Sequence, residues 1–370
     1  MDIQLARKLQ QVGAQFKLDQ PFFTYTELPT GNVNRTFKAD YIISEDGMAK
    51  VKSYLMQKVN TYAFRDPVGL MENIDKVTRF YHEKEPQKLY MHFHHTPDGK
   101  TYVFDGDDFW RVCSYIESET INNTDDIEVV RSAAEAFGDF QMVLSDFDAS
   151  TLTYTIPDFH NTRKRYEKLL LDAGDDRLNR LKDVREEYDW LVSVMDRACT
   201  LTDMQTRGEL PLRVTHNDTK INNVLFDKVT RKALAVVDLD TVMPGLVGHD
   251  FGDAIRFAAN FTDEDSDDTT RTGVDLNTFW AFADGYLSKT ASVLTDKEIE
   301  TLPISCFCLA CELAVRFLDD YLTGDKYFAV KKDRHNILRT RCQIALAKDM
   351  LKKEDALRAI VRGCAEKYRG

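Results

Sequence analysis

Apolar positions in the first third of the chain alternate or cluster as strands require, and one stretch switches to helical spacing. Phe37-Lys-Ala-Asp-Tyr-Ile-Ile43 and Val51-Lys-Ser-Tyr-Leu-Met-Gln-Lys-Val59 are separated by the turn Glu45-Asp-Gly-Met48, so together they predict a hairpin. Residues 68–82 then carry Leu70, Ile74, Val77 and Tyr81 on one helical face. Two further β-like runs, 89–94 and 101–103, flank the turn Thr96-Pro-Asp-Gly99, and a third spans 109–116. From Asp125 onward the period lengthens. Val130, Ala134, Phe137, Met142 and Leu144 form one stripe, and 163–171, 184–201, 276–287 and 304–322 read as helices as well. The change of character falls within 117–126, which predicts a β-rich unit over residues 1–120 and a mainly helical unit over 121–370. No internal repeat is present.

One segment of the helical part breaks its own pattern. Val214-Thr-His-Asn-Asp-Thr-Lys-Ile-Asn-Asn-Val-Leu-Phe226 ends in an apolar run, a polar turn covers 227–232, and a second apolar run over 233–237 leads to Asp238. If the runs pair as a hairpin, Asp218, Asn223 and Asp238 gather around one point. That grouping suits phosphoryl transfer: a carboxylate to orient and deprotonate a hydroxyl, with an amide oxygen and a second carboxylate to hold Mg²⁺ on the phosphates of ATP. Any one of these residues alone reads as a polar turn or the end of a strand. The ordered set, with its spacing and strand context, carries the signal.

Three features of the β-rich unit bear on a nucleotide. Gly31-Asn-Val-Asn-Arg-Thr36 precedes a predicted strand, where its amides and the side chains of Asn32 and Asn34 would cover phosphates, although it is neither a Walker A nor a Gly-x-Gly-x-x-Gly sequence. Lys58, near the end of the second strand, and Glu72, early in the next helix, would form the Lys–Glu pair that fixes a lysine on the phosphates; Lys52, Gln57 and Glu83 compete for these roles. Tyr115 and Ile116, at the end of the last strand, stand where a hinge would offer backbone groups to adenine.

Charge narrows the partners. Sixty-one acidic against 49 basic residues give a net charge of −12, which repels nucleic acid, while Mg²⁺ and local cations offset a triphosphate within one cleft. The acidic run Asp263-Glu-Asp-Ser-Asp-Asp268 reads as a solvated loop. The start of the chain lacks the continuous apolar core of a signal peptide, and no run is expected to supply the roughly 18 apolar residues of a membrane span, so a cytoplasmic location, no membrane partner and a monomer or small homo-oligomer are expected. Seven scattered cysteines fit reduced thiols, and Cys306-x-Cys308-x2-Cys311 within an apolar helix fits buried thiols rather than zinc.

His216-x-Asp218-x4-Asn223 followed by Asp238 resembles the aminoglycoside phosphotransferase and choline kinase superfamily. Three longer stretches, 215–224, 237–256 and Val315-Arg-Phe-Leu-Asp-Asp-Tyr-Leu-Thr-Gly-Asp325, resemble the N-acetylhexosamine 1-kinases within it. The resemblance covers nearly the whole chain and weakens before about residue 120. It implies an α+β, two-lobed, protein-kinase-like fold with a small β-rich N-lobe and a mainly helical C-lobe, with ATP and Mg²⁺ as cofactors. Asp218 is then the base, Asn223 and Asp238 the metal ligands, and His216 and Asp250 braces of the catalytic loop. Asp240 is either a further ligand or a brace, and His249-Asp-Phe-Gly252 is not the metal motif it mimics. Arg316 and Asp320 lie four apart on one helix; the spacing alone suits a surface ion pair, whereas the resemblance turns both toward a sugar. The implied acceptor is the anomeric hydroxyl of an N-acetylhexosamine. Rivals are another sugar, an amino alcohol, an aminoglycoside, or a nucleotide-binding regulator without catalysis.

Overall fold

The computed structural model describes residues 2–29 and 33–369. Strands β1 (Phe22–Leu28), β2 (Arg35–Glu45), β3 (Met48–Val59), β4 (Val103–Asp105) and β5 (Asp108–Ser114) form an antiparallel sheet in the order β1-β2-β3-β5-β4. The β2–β3 hairpin runs in unbroken register from Arg35↔Lys58 to Glu45↔Met48, across the turn read from the sequence. Residues 89–94, read as a strand, instead make an isolated bridge at Phe93↔Cys113.

Helix α1 (Ile3–Gln15) was not expected; it covers the outer face of the sheet, burying Leu9, Val12 and Phe16 against Phe37, Tyr41, Tyr54, Met56 and Trp110. Helix α2 (Pro67–Lys84) covers the other face with Leu70, Met71, Ile74 and Val77 against Val59, Phe109 and Cys113. Its start is well specified: the Asp66 carboxylate accepts the Gly69 N–H at 2.9 Å, and Pro67 fills a first-turn position that needs no N–H donor.

After the short strand β6 (Glu119–Thr120) come α3 (Ile127–Val143) and α4 (Thr162–Asp175). The stretch read as one helix over 184–201 is three: α5 (Arg185–Ser193), α6 (Met195–Ala198) and α7 (Thr200–Thr206), the chain turning at Val194 and Cys199. Strands β7 (Arg213–Thr215), β8 (Val224–Phe226), β9 (Ala233–Val236) and β10 (Met243–Gly245) carry the conspicuous motif, and α8 (Val247–Ala258) follows at once. Helices α9 (Leu276–Thr290), α10 (Asp296–Thr323), α11 (His335–Lys352) and α12 (Glu354–Arg369) complete the larger lobe. Helix α8 is buried along its length, from Val247 through Arg256, the charged Asp250, Asp253 and Arg256 included.

Helix α10 is the axis of this lobe. It starts on a reciprocal cap between Thr295 and Glu298 and ends at Gly324, whose φ of 105° suits only glycine. By length and composition, with a mean hydropathy of 1.6 over its most apolar stretch, it qualifies as a membrane span, contrary to the expectation that no segment would; 94% of that stretch is buried inside the protein, so it serves as a core helix. Cys306, Cys308 and Cys311 lie within it as buried free thiols. The lobes are stitched together by Asn73 of α2, whose amide donates to Thr153 O at 2.7 Å and Val242 O at 3.0 Å and accepts from Thr153 N at 2.9 Å.

Candidate active site

Strand β7 pairs with β10, and the chain leaves β7 into a loop that returns as β8. The β8–β9 hairpin pairs Val224 with Val236, and Val237 N–H donates to Asn223 O at 2.9 Å, so Asn223 and Asp238 stand side by side where the hairpin opens. Asn223 Nδ2 donates to the Asp218 carbonyl at 2.8 Å and to its carboxylate at 3.2 Å. That leaves the amide oxygen of Asn223 as its ligand atom. Asn217 and Asp238 are both held at φ 62°, a left-handed conformation uncommon outside glycine; each places a sharp turn at the point where chemistry is expected.

The loop is braced from behind. Both oxygens of Asp250 are used, accepting His216 N–H at 2.9 Å and Asn217 N–H at 2.7 Å, while its carbonyl takes the Thr219 hydroxyl at 2.5 Å. His216 lies edge-on to Phe137 and Phe140; its Nε2 meets Val237 O at 2.9 Å and its Nδ1 accepts Asp218 N–H at 3.3 Å. These partners fix the proton on Nε2. His216 thus ties the Asp218 loop to the strand that ends at Asp238.

Charge in this corner is strongly negative. Asp238 is open to solvent along the cleft but hemmed in by protein, and burial, then Asp240 and Asp218, push its carboxyl up to about 6. Lys220, which the sequence reading did not single out, pairs with Asp218 at 2.9 Å. Its pKa is raised: desolvation, the largest influence, is outweighed by attraction to Asp218 and Asp253. A cluster of carboxylate and amide oxygens with surplus negative charge fits a hard divalent cation. Among the described residues no three His, Cys, Asp or Glu side chains close into a cage of their own. Such a site suits Mg²⁺, which takes few protein ligands and completes its shell with water and phosphate.

Asp240 resolves toward bracing. It is buried, one oxygen paired with Arg111 of β5 and the other accepting from Asn34 Nδ2 at 2.6 Å. Arg111 also donates to Gln57 Oε1 at 2.9 Å, and Gln57 Nε2 to Thr36 Oγ1 at 3.1 Å. Asn34 is therefore a latch between the lobes, with its own Oδ1 accepting Asn60 N–H at 2.9 Å. Asn32 lies outside the described residues.

The Lys58–Glu72 pair is not formed. Successive residues of a strand face opposite sides. In β3 that alternation turns Gln57 to the α2 side and Lys58 to the α1 side, where Lys58 meets Asp108 at 2.6 Å; Glu72 is exposed on α2. The buried cation joining the sheet to the catalytic lobe is Arg111. On the sheet's cleft side the lysine is Lys38, 4.7 Å from the ring centre of Tyr115. Tyr115 N–H reaches Ser53 O at 3.4 Å, and Ile116 O accepts the Ser118 hydroxyl at 2.9 Å.

At the other end of the cleft, Arg316 of α10 packs among three aromatic rings, Phe159, Tyr327 and Phe328, with centroids 5.4–5.8 Å away. Arg165 lies close by. Its Nη2 donates to Phe159 O at 3.2 Å, its Nε is buried without a partner, and burial and Arg316 both lower its pKa. Asp320 does not face this space. Its Oδ1 accepts the Lys326 and Tyr327 N–H groups at 2.9 and 2.8 Å, and its Oδ2 accepts Phe328 N–H at 3.0 Å and Asn336 Nδ2 at 2.9 Å. With both oxygens occupied, it builds the loop that presents the aromatic rings rather than touching substrate. The ring of Phe159 also meets His160, which contacts Asn217, so this region is one contact removed from the catalytic loop.

The chain matches the model of the phosphotransferase enzyme family over residues 61–281, more than half its length. Solved structures share its fold. An aminoglycoside phosphotransferase from Alicyclobacillus acidocaldarius subsp. acidocaldarius DSM 446 aligns with a TM-score of 0.62 and 14% identity over 97% of this chain and 96% of that one. A spectinomycin phosphotransferase in complex with ADP and spectinomycin aligns at 0.57 and 13% over 95% and 98%. A choline kinase from Cryptosporidium parvum Iowa II aligns at 0.54 and 14% over 92% and 91%. At such identities the likeness is one of fold, here the two-lobed kinase-like fold.

Proposed function

Because the chain belongs to the phosphotransferase enzyme family, we propose that it transfers the γ-phosphoryl group of ATP to the anomeric hydroxyl of an N-acetylhexosamine or a closely related sugar. Asp218 accepts the proton of the attacking hydroxyl and aims it. Asn223 and Asp238 hold Mg²⁺, which when bound neutralises charge on the phosphates. Lys220 offsets Asp218, so the carboxylates can be gathered within one cleft.

The observation that favours a sugar is the charge of the acceptor end. Arg165 and Arg316 lie together there, and no oxygen of Asp320 is left to receive a cation. A choline, an amino alcohol or an aminoglycoside brings positive charge to this place and meets two guanidinium groups. A neutral sugar offers hydroxyls and an acetamido carbonyl to the planar donors of Arg316, and its apolar face to Phe159, Tyr327 or Phe328. Within the acidic run, Glu264 pairs with Arg256 and Asp265 with His335.

The test is ATP consumption over a panel of N-acetylglucosamine, N-acetylgalactosamine, their 1-O-methyl glycosides, choline and an aminoglycoside. The free hexosamines are consumed, the methyl glycosides are inert, and phosphorus NMR of the product shows coupling to the anomeric proton. Efficient turnover of choline or the aminoglycoside with none of the sugars overturns the acceptor assignment and leaves the phosphotransferase intact.

A further inference from the structure

His160 is buried beside the catalytic loop and plays no part in the chemistry described so far. Its Nδ1 lies 2.8 Å from Glu312 Oε1, and its Nε2 lies 3.3 Å from Asn217 O. Glu312 is fully buried on α10 and gives its second oxygen to the Thr162 hydroxyl at 2.7 Å. Both neighbours of the imidazole are therefore acceptors. With a proton on Nε2 alone, the Nδ1 lone pair faces a carboxylate; with a proton on Nδ1 alone, the Nε2 lone pair faces a carbonyl. With Glu312 ionised, only the doubly protonated ring satisfies both.

We propose that His160 is an imidazolium clamped between Glu312 and the Asn217 carbonyl, and that this clamp positions Asp218 by gripping the peptide group that leads into it. The Asn217–Asp218 peptide is held at both ends by histidines of opposite character. His160 donates to its carbonyl, and His216 Nδ1 accepts its N–H. Asn217 sits in the left-handed region, so this peptide plane is not set by ordinary backbone preference and needs outside contacts to fix it. Glu312 stands one turn before Arg316 on α10, and Phe159 touches both His160 and Arg316. The clamp thus joins the acceptor wall to the base.

The surroundings agree. The charged groups around His160 are Glu312 and Arg316 from α10 and Asp253 from α8; burial, the largest influence, favours the neutral ring, but Glu312 and Asp253 outweigh it and the pKa is raised. Glu312 is held down to about 2, its own burial opposed chiefly by His160. His249 lies against His160, the rings tilted by 41° with centres 4.8 Å apart, and is pushed down to about 3 by burial and by His160, so one member of the pair is charged and the other is not.

The inference rests on Asp218 being the base but not on which acceptor is used. Nitrogen-15 NMR of the intact chain labelled at histidine reads it directly: the His160 ring, assigned by its contacts to the Phe159 ring, shows both nitrogens protonated at pH 7.5. A neutral ring overturns the proposal, and this measurement needs neither substrate nor variant. In Glu312→Gln and His160→Gln, kcat falls about 10- to 100-fold through misplacement of the base, while KM for Mg-ATP stays within about twofold. Because a raised pKa means the charged form is lost as pH rises through it, the alkaline limb of the kcat profile moves to lower pH in Glu312→Gln. A folded variant with wild-type kcat and an unmoved alkaline limb overturns the positioning role.

Discussion

At the hairpin end of the cleft, Asp218, Asp238 and Asp240 crowd together and are answered by Lys220 and Arg111. At the α10 end, Arg165 and Arg316 lie together, and of the carboxylates beside them Glu312 is already taken by His160 and Thr162 and Asp158 by Lys164. One end keeps a surplus of negative charge and the other a surplus of positive charge. On the proposed function this difference would separate the two substrates by charge, metal-bound nucleotide at the first region and a neutral acceptor at the second.

The largest effect should come from the residue that faces both regions. Asp218→Asn removes the base without removing a metal ligand, so turnover falls on the order of 10²–10⁴ while calorimetric Mg-ATP binding stays nearly unchanged. Wild-type turnover in this variant would end the assignment. At the hairpin end, Arg111→Met leaves the buried Asp240 carboxylate without its cation and destabilises the fold by about 3–5 kcal/mol in denaturant titration. Adding Asp240→Asn should recover part of that loss; if it recovers none, the pair is not the source.

The metal side also carries a pH dependence. Asp238 titrates near 6, above the ordinary carboxylate range, and a proton there excludes a metal ion. Apparent Mg²⁺ affinity in the nucleotide complex should be flat above that pH and fall by about tenfold per pH unit below it. A flat profile down to pH 5 would assign the metal to other groups. The smallest effect belongs to the acceptor end: Arg316→Ala should raise KM for the sugar by about tenfold, with KM for ATP and kcat little changed, because it removes binding that ground and transition states share. Equal shifts in both KM values would argue against its selectivity for the acceptor.

What could be read from the chain alone follows from how local each feature is. Asp218, Asn223 and Asp238 lie within 21 positions along one loop and one hairpin, so spacing and strand phase suffice to bring them together. The Lys58 assignment failed on a phase error of one residue, since Gln57 and Lys58 are equally polar and only the paired strand tells which faces α2. Arg111–Asp240 and His160–Glu312 are separated by 129 and 152 positions, and no pattern along a sequence links such partners. Helices α8 and α12 could both have been read: Val247, Phe251, Ala254 and Ile255 in the first, and Leu357, Val361, Cys364 and Ala365 in the second, make readable stripes. Asp320 was misjudged because an acidic residue on a helix looks the same whether it meets substrate or the N–H groups of the following loop.

Glu312, Arg316 and Asp320 occupy successive turns of a single face of α10. The outer two are committed to the protein itself, Glu312 to His160 and Asp320 to residues 326–328, while Arg316 packs among aromatic rings. If Arg316 reads the acceptor as proposed, a helix so anchored on both sides of it lets selection rewrite acceptor preference at one codon while Asp218 and the aromatic wall keep their alignment.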